Sequence, residues 1–172
     1  KGAVITTSDT TTGPNYVVGN YGLSLNGSSD YARAQFAGVQ GSNPRTISFW
    51  FKRLNTDDID DNWDYLVDYG DAVDEKRFSI ALTHDNEMIV VSMKTSDSAG
   101  SGGLVYGSSI KDTRWHHLVV LLLPTYSRSD GIRIYLDGED DTRTTLHTHS
   151  NIITTKTTNS VEDWLTIGGA AN

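Results

Sequence analysis

The amino-acid sequence predicts an all-β protein, folded as an antiparallel β-sandwich of the jelly-roll type. Apolar side chains recur at every second position along most of the chain, which is the period of a strand with one buried face. No window of about 11 residues keeps the spacing of an amphipathic helix. Turn-forming residues separate the apolar segments, with 16 glycines but only three prolines in 172 residues, as short strands joined by turns require. We therefore expect about a dozen strands in two packed sheets.

The alternation places individual strands along the chain. It is clearest in three segments, whose inward-facing sets are Ile47, Phe49, Phe51; Phe78, Ile80, Leu82; and Ile132, Ile134, Leu136. Trp50 lies on the face opposite to Phe49, and Trp164 shares the side of Thr166. The predicted core contains these side chains from several strands: Phe49, Trp115, Val119, Leu121, Ile132, Ile134 and Ile167.

Two consecutive segments carry the strongest strand signals. Residues 113–123 (TRWHHLVVLLL) predict a long strand that is buried on both faces, because the second half is an unbroken apolar run. Residues 131–138 (GIRIYLDG) predict a second strand of alternating pattern that stops at an Asp-Gly turn.

Length, charge and cysteine content restrict the class of protein. A chain of 172 residues suits one domain with a sizeable core. The net charge of −8 repels phosphate backbones and anionic membranes, so nucleic acid is not an expected partner. The longest apolar run, 118–123, is far shorter than the roughly 20 residues of a membrane helix, so we expect no membrane insertion. Cysteine is absent, which excludes thiol catalysis and thiolate metal sites.

The motifs also resemble a known family. Together with 22–31 (GLSLNGSSDY), 46–52 (TISFWFK) and 165–169 (LTIGG), the two segments above resemble the laminin-G-like branch of the concanavalin A-like lectin/glucanase superfamily. The resemblance implies a concanavalin A-like, laminin-G-like sandwich over residues 17–172. Residues 1–16 would then form an N-terminal arm or edge strand, and the final strand usual in the family would be lacking.

An acidic loop is the first candidate metal site. In 57–64 (DDIDDNWD) the oxygen-bearing side chains Asp58, Asp60, Asn62 and Asp64 alternate like calcium ligands. The loop does not fit an EF-hand, since Trp63 and Tyr69 stand where Gly and Glu are needed. The alternative is a solvated acidic surface.

The resemblance implies a second calcium arrangement. Calcium-binding laminin-G-like domains use an acidic residue in a rim loop just before a core strand, an Asn or Asp shortly before the Ile-Gly-Gly strand, and backbone carbonyls. The matching positions here are Asp74, with Asp71 or Glu75 as alternatives, and Asn159. Calcium is thus the expected cofactor if there is one.

The histidine pairs are weaker metal candidates. His116 and His117 are adjacent on a strand and point to opposite faces, so they cannot chelate one ion. We expect both to be packing residues. His147 and His149 do share a face, but no third ligand is evident.

Catalysis is not expected. Glucanases of the superfamily carry Glu-x-Asp-x-Glu or Glu-x-Asp-x-x-Glu on one strand, which places two carboxylates on one face. The sequence contains no such motif, and it contains no nucleophile elbow or phosphate-binding glycine loop.

Binding through exposed aromatic side chains is the remaining function. Flat apolar rings can stack on sugars or anchor a protein partner. The predicted ligand-binding residues are Trp63, Tyr65, Tyr69 and Trp164, with Trp63 first. We expect a lectin-like or adhesion module on an extracellular, cell or virion surface that binds a glycan or protein at a loop rim. The alternative is a structural component, such as a capsid decoration, tail or fibre protein, that contacts neighbouring subunits.

Overall fold

A computed structural model describes these parts of the chain: residues 5–7, 22–26, 29–35, 39, 43–54, 63–71, 76–84, 87–94, 102–123, 131–146 and 164–169. The described residues form twelve strands: β1 (Ile5–Thr7), β2 (Ala32–Gln35), β3 (Arg45–Phe51), β4 (Asp64–Asp71), β5 (Lys76–Leu82), β6 (Met88–Lys94), β7 (Gly102–Ser109), β8 (His116–Leu122), β9 (Ile132–Leu136), β10 (Glu139–Asp140), β11 (Thr144–Leu146) and β12 (Trp164–Ile167). Among these residues there is no α-helix, and hence no helix that could cross a membrane.

The strands form two antiparallel sheets. The larger sheet has eight strands in the order β1-β2-β12-β4-β5-β6-β7-β11, and the smaller has four in the order β10-β9-β8-β3. In the part of the chain that the structure describes, each pair of neighbouring strands is antiparallel. The predicted all-β sandwich is therefore confirmed. Within the segment expected to be an arm or edge strand, β1 pairs with β2 at one margin of the larger sheet.

The core lies between the sheets. The larger sheet contributes side chains with essentially no exposure, namely Phe78, Ile80, Ile89, Val91, Met93 and Val105. The smaller sheet contributes a matching set: Leu118, Val120, Leu122, Ile132 and Ile134. The alternation predicted for β5 and β9 is thus correct. In β3, Ile47 and Phe49 are partly buried against this core, while Trp50 faces outward.

The predicted face of β8 is wrong. His116, Leu118, Val120 and Leu122 point inward, whereas Val119 and Leu121 are only half-buried and Trp115 is 52% exposed. An unbroken apolar run has no internal phase, so pairing with β3 decides which residues face the core. The inward histidine is tolerated because both of its ring nitrogens have carboxylate partners.

Ile167 was also wrongly predicted as a core residue. Its side chain is 39% exposed, and its neighbour Thr166 is buried at 3% exposure on the opposite face, beside Asp68 of β4. Alternation gives the face of a residue but not the extent of the opposing sheet. A four-stranded sheet cannot cover every strand of an eight-stranded one.

The hairpin between β9 and β10 follows the sequence prediction. Asp137 and Gly138 have φ values of 53° and 92°, as a two-residue turn with positive φ at both positions requires. The turn also orients the Asp137 carboxylate toward the start of β8.

Candidate functional site

The outer surface of the smaller sheet carries two exposed tryptophans. Trp50 of β3 is paired with His117 of β8. Lys52 and Trp115 lie one position beyond the last pair of this register, Phe51 and His116, and contact each other there. All four side chains lie on the face directed away from the core. We call Trp50, Lys52, Trp115 and His117 the tryptophan face.

The indoles of this face are unusually open to solvent. The exposed fraction is 63% for Trp50 and 52% for Trp115. Tryptophan is highly buried on average, because its large apolar surface is stabilised by removal from water at about 25 cal/mol per Å². Two such rings side by side therefore form a surface suited to contact with a ligand.

Neighbouring groups hold both rings in place. The Trp50 indole stacks on His117, with ring centroids 5.0 Å apart and an interplanar angle of 27°. The Nε2 atom of His117 lies 2.9 Å from Ser48 Oγ, which fixes the orientation of the imidazole. At the neighbouring position of the register, the Lys52 ammonium lies 5.4 Å from the centroid of the Trp115 ring.

Gly22 contacts the outer edge of Trp115. A Cβ at this glycine would lie 3.2 Å from Cη2 of the indole, so the backbone approaches the ring closely. A larger side chain at position 22 would crowd the indole, so glycine here allows Trp115 to keep its observed position.

A charged cluster lies beneath the tryptophan face. His116 Nδ1 donates to Asp137 Oδ2 at 2.8 Å, and Nε2 donates to Asp112 Oδ1 at 3.0 Å. Carboxylates only accept, so the imidazole is doubly protonated when both bonds are made. Asp137 Oδ1 also accepts from the His117 backbone N–H at 2.8 Å. The cluster therefore joins the Asp-Gly turn to the strand that carries the face.

The protonation equilibria follow from these contacts. Burial disfavours the charged form of His116 and is the largest single influence, but the two carboxylates together outweigh it and raise the pKa of the imidazole. The pKa of Asp112 is lowered, chiefly by hydrogen bonds from Arg114. The pKa of Asp137 is also lowered, first by the backbone N–H of His117 and then by His116.

Two of the predicted ligand-binding residues lie together elsewhere. The ring centroids of Trp63 and Tyr65 are 6.4 Å apart, at the start of β4, and both side chains are half-buried. The Arg77 guanidinium lies 4.9 Å from the centroid of the Tyr65 ring. Ligand binding by Trp63 and Tyr65 stays a prediction. Trp164 lies in β12, but its side chain is outside the described part of the structure.

Tyr69 cannot belong to a solvent-facing rim. It is 3% exposed and stacks on Phe78 in the core, with ring centroids 5.4 Å apart. Its hydroxyl accepts a hydrogen bond from Arg45 Nη1 at 3.1 Å, and burial raises its pKa. Tyr69 was predicted to bind a ligand at a loop rim, but β4 extends to Asp71, so this tyrosine lies inside a strand and faces the opposite sheet.

A buried ion pair was missed by the sequence analysis. Asp68 has no exposed surface and accepts from Arg77 Nε at 2.8 Å, from Arg77 Nη2 and from Ser79 Oγ at 2.6 Å. A charged residue inside the apolar strand around Val67 was the available signal. Its partner arises from the pairing of β4 with β5, which a one-dimensional pattern does not show.

The predicted calcium ligands are mostly outside the described residues. Asp58, Asp60, Asn62, Asp74, Glu75 and Asn159 belong to this set, as do His147 and His149. Asp64 begins β4, and Asp71 ends it. In the described part of the chain, no group of three or more His, Asp or Glu side chains is arranged to hold a metal ion.

Comparison with known proteins identifies the family. The family model for laminin-G domains of the concanavalin A-like lectin/glucanases superfamily matches residues 26–172. The chain belongs to this family. A search of curated proteins gave no match. Membership of this family supports a role as a module that binds carbohydrate or protein. Such domains are generally non-catalytic and are typically extracellular or surface-exposed.

Proposed function

We propose that this laminin-G-like domain is a non-catalytic module, placed outside the cell or on a particle surface, that binds a glycan through the tryptophan face. The observation that carries the proposal is the pair of indoles, 63% and 52% exposed, on one outer surface of the smaller sheet. Family membership supports carbohydrate binding as one of two coarse functions, the other being protein binding.

The geometry of the face suits a saccharide of more than one ring. Trp50 and Trp115 are diagonal neighbours across the β3–β8 pair, which places their Cα atoms about 7–8 Å apart. Two adjacent sugar rings can bridge such a separation, each with its C–H face on one indole. Trp50 rests on the imidazole of His117, so the orientation of its ring is established before a ligand arrives.

Polar groups within the face favour a sugar over a purely apolar partner. The Ser48 hydroxyl and the His117 ring lie beside Trp50, and the Lys52 ammonium lies beside Trp115. Hydroxyl, imidazole and ammonium groups can exchange hydrogen bonds with sugar hydroxyls at the margin of the stacked rings. A few polar groups around flat apolar surfaces are typical of sites that select a ligand by orientation.

We expect the affinity of a single domain to be weak. The surface is an open sheet face with few groups to immobilise a ligand, so a dissociation constant near 1 mM, or about −4 kcal/mol, is the expected order. Repetition of the domain in a larger assembly would raise the effective affinity through multivalency.

The test is retention on immobilised polysaccharides, with tryptophan variants as probes. Trp50→Ala and Trp115→Ala should each abolish measurable retention of a multivalent form of the domain, with the fold retained by circular dichroism. Trp63→Ala is the matched control, since it removes a half-buried indole from another part of the molecule. Loss with Trp63→Ala alone would transfer the site to the predicted loop rim. Unchanged retention in all three variants would overturn the proposal.

A further inference from the structure

Lys52 is the lysine of the tryptophan face. Among the described residues, it has no carboxylate partner. Its ammonium contacts the ring of Trp115, 5.4 Å from the ring centroid. The nearby Arg114 is different, because Asp112 Oδ2 accepts from its Nε at 3.0 Å and from its Nη2 at 2.8 Å. The positive charge of Arg114 is thus balanced within the protein.

Lys52 is exposed, although the chain as a whole carries a net charge of −8. Attraction to the aromatic ring holds the side chain beside Trp115 without neutralising it. The charge is therefore available to a group of opposite sign brought by a ligand. The four-carbon stem of lysine also allows the ammonium to move to the edge of the indole when a ring stacks on its face.

We propose that the glycan contains a uronic acid, whose pyranose ring stacks on Trp115 and whose carboxylate pairs with Lys52. The inference rests on the proposed function and specifies its ligand class. A carboxylate attached directly to the sugar ring projects from the ring edge while the ring carbons remain in contact with the indole. The Lys52 ammonium lies 5.4 Å from the centroid of the Trp115 ring, within reach of such an edge group. The carboxylate accepts hydrogen bonds from the ammonium, and no bond in the ligand is broken.

The experiment compares oligosaccharides that differ only in charge. Hexamers of galacturonate, glucuronate and mannuronate are each paired with a carboxyl-reduced form, in which neutral hydroxymethyl groups replace the carboxylates. Titration calorimetry at about 20 mM salt should show at least one uronate hexamer bound about three- to tenfold more tightly than its reduced form. The ratio should fall toward one at about 0.5 M salt, where the screening length is only a few ångströms.

Variants then assign the effect to Lys52. Lys52→Gln should bring the ratio between charged and reduced hexamers close to one, and Lys52→Arg should restore most of it. Lys111→Gln is the matched control, because Lys111 is also an exposed lysine but stands outside the tryptophan face. A ratio that falls equally in Lys111→Gln would reveal a general effect of net charge and overturn the inference.

The outcomes separate this inference from the proposed function. If charged and reduced hexamers bind equally and both lose binding in Trp115→Ala, the assignment of a uronic acid is overturned and the proposal of glycan binding stays intact. Tighter binding of a sulfated neutral hexamer than of every uronate would assign the anion to sulfate and also overturn it. If no saccharide binds and the same face captures an acidic peptide, the proposal of glycan binding and the assignment of a uronic acid are both overturned.

Discussion

Trp50 stacks on His117 across β3 and β8, with ring centroids 5.0 Å apart and planes inclined by 27°. The contact joins residues that are far apart in sequence. It sets the orientation of Trp50, whose indole is the most exposed among the residues that the structure describes. It makes His117 a positioning residue for any ligand that stacks on Trp50.

We expect His117→Ala to weaken ligand binding without unfolding the domain. Loss of the aromatic pair should lower the free energy of unfolding by about 0.5–1.5 kcal/mol. The Trp50 indole would then rotate more freely, which time-resolved fluorescence anisotropy can detect in a variant whose other tryptophans are replaced by phenylalanine. His117→Phe keeps a stacking ring and should retain most of the rigidity. Equal mobility of Trp50 in all three proteins would contradict a positioning role.

Trp115 should contribute little to stability. Trp115→Ala removes a ring that is half exposed, so we expect a loss of about 1 kcal/mol in the free energy of unfolding. Leu118→Ala, which empties a fully buried site on the same strand, should lower it by about 2–5 kcal/mol. Urea denaturation monitored by circular dichroism measures both. A greater loss for Trp115→Ala than for Leu118→Ala would support the orientation of β8 predicted from the sequence, in which Trp115 faces the core.

We expect the His116 cluster to make the free energy of unfolding depend on pH near neutrality. The folded state raises the pKa of His116 above its ordinary value of 6.5, so the folded protein binds the proton more tightly than the unfolded chain. The resulting stabilisation is fully present below pH 6.5 and is lost as pH rises through the higher pKa of the folded state.

Denaturation midpoints between pH 5.5 and 8.5 test this dependence. In wild-type protein the free energy of unfolding should fall as pH rises across that window, and His116→Gln should remove that part of the slope. His84→Gln changes an exposed histidine away from the cluster and serves as the control. A slope that survives in His116→Gln would exclude this imidazole as its source.

The buried Asp68–Arg77 pair should show strong coupling. Arg77→Met leaves a fully buried carboxylate without its cation, and we expect this to destabilise the protein by about 3–5 kcal/mol. Adding Asp68→Asn removes the uncompensated charge and should recover part of the loss. A double-mutant cycle from urea denaturation provides the coupling energy. Additive effects of the two substitutions would contradict the ion pair.

Calcium should raise the melting temperature if either predicted ligand set binds it. Binding to the native state alone stabilises by about 2.7 kcal/mol at a hundredfold excess over Kd. Differential scanning calorimetry with millimolar calcium, magnesium or chelator should show a shift for calcium only. Loss of that shift in Asp74→Asn would support the rim arrangement, and loss in Asp58→Asn would support the acidic loop. Superimposable curves for calcium and chelator would exclude calcium binding by either predicted ligand set.

The sequence alone determined the fold class, the β9–β10 turn and the outward face of Trp50. These features depend on local patterns: period-two alternation, positive φ at an Asp-Gly pair, and the position of one residue within a clear amphipathic strand. The family motifs depend on the same local patterns, which is why the match over residues 26–172 agrees with the resemblance seen in the sequence.

The tertiary structure alone decided which side of β8 faces the core, and with it the location of Trp115. Residues 118–123 are all apolar, so either phase buries similar side chains, and the choice came from the register with β3. Ser48 and His117, which set that part of the face, are 69 residues apart. The burial of Tyr69 and the pairing of Asp68 with Arg77 have the same origin. They depend on contacts between strands, and these contacts exist only once the two sheets have paired and packed.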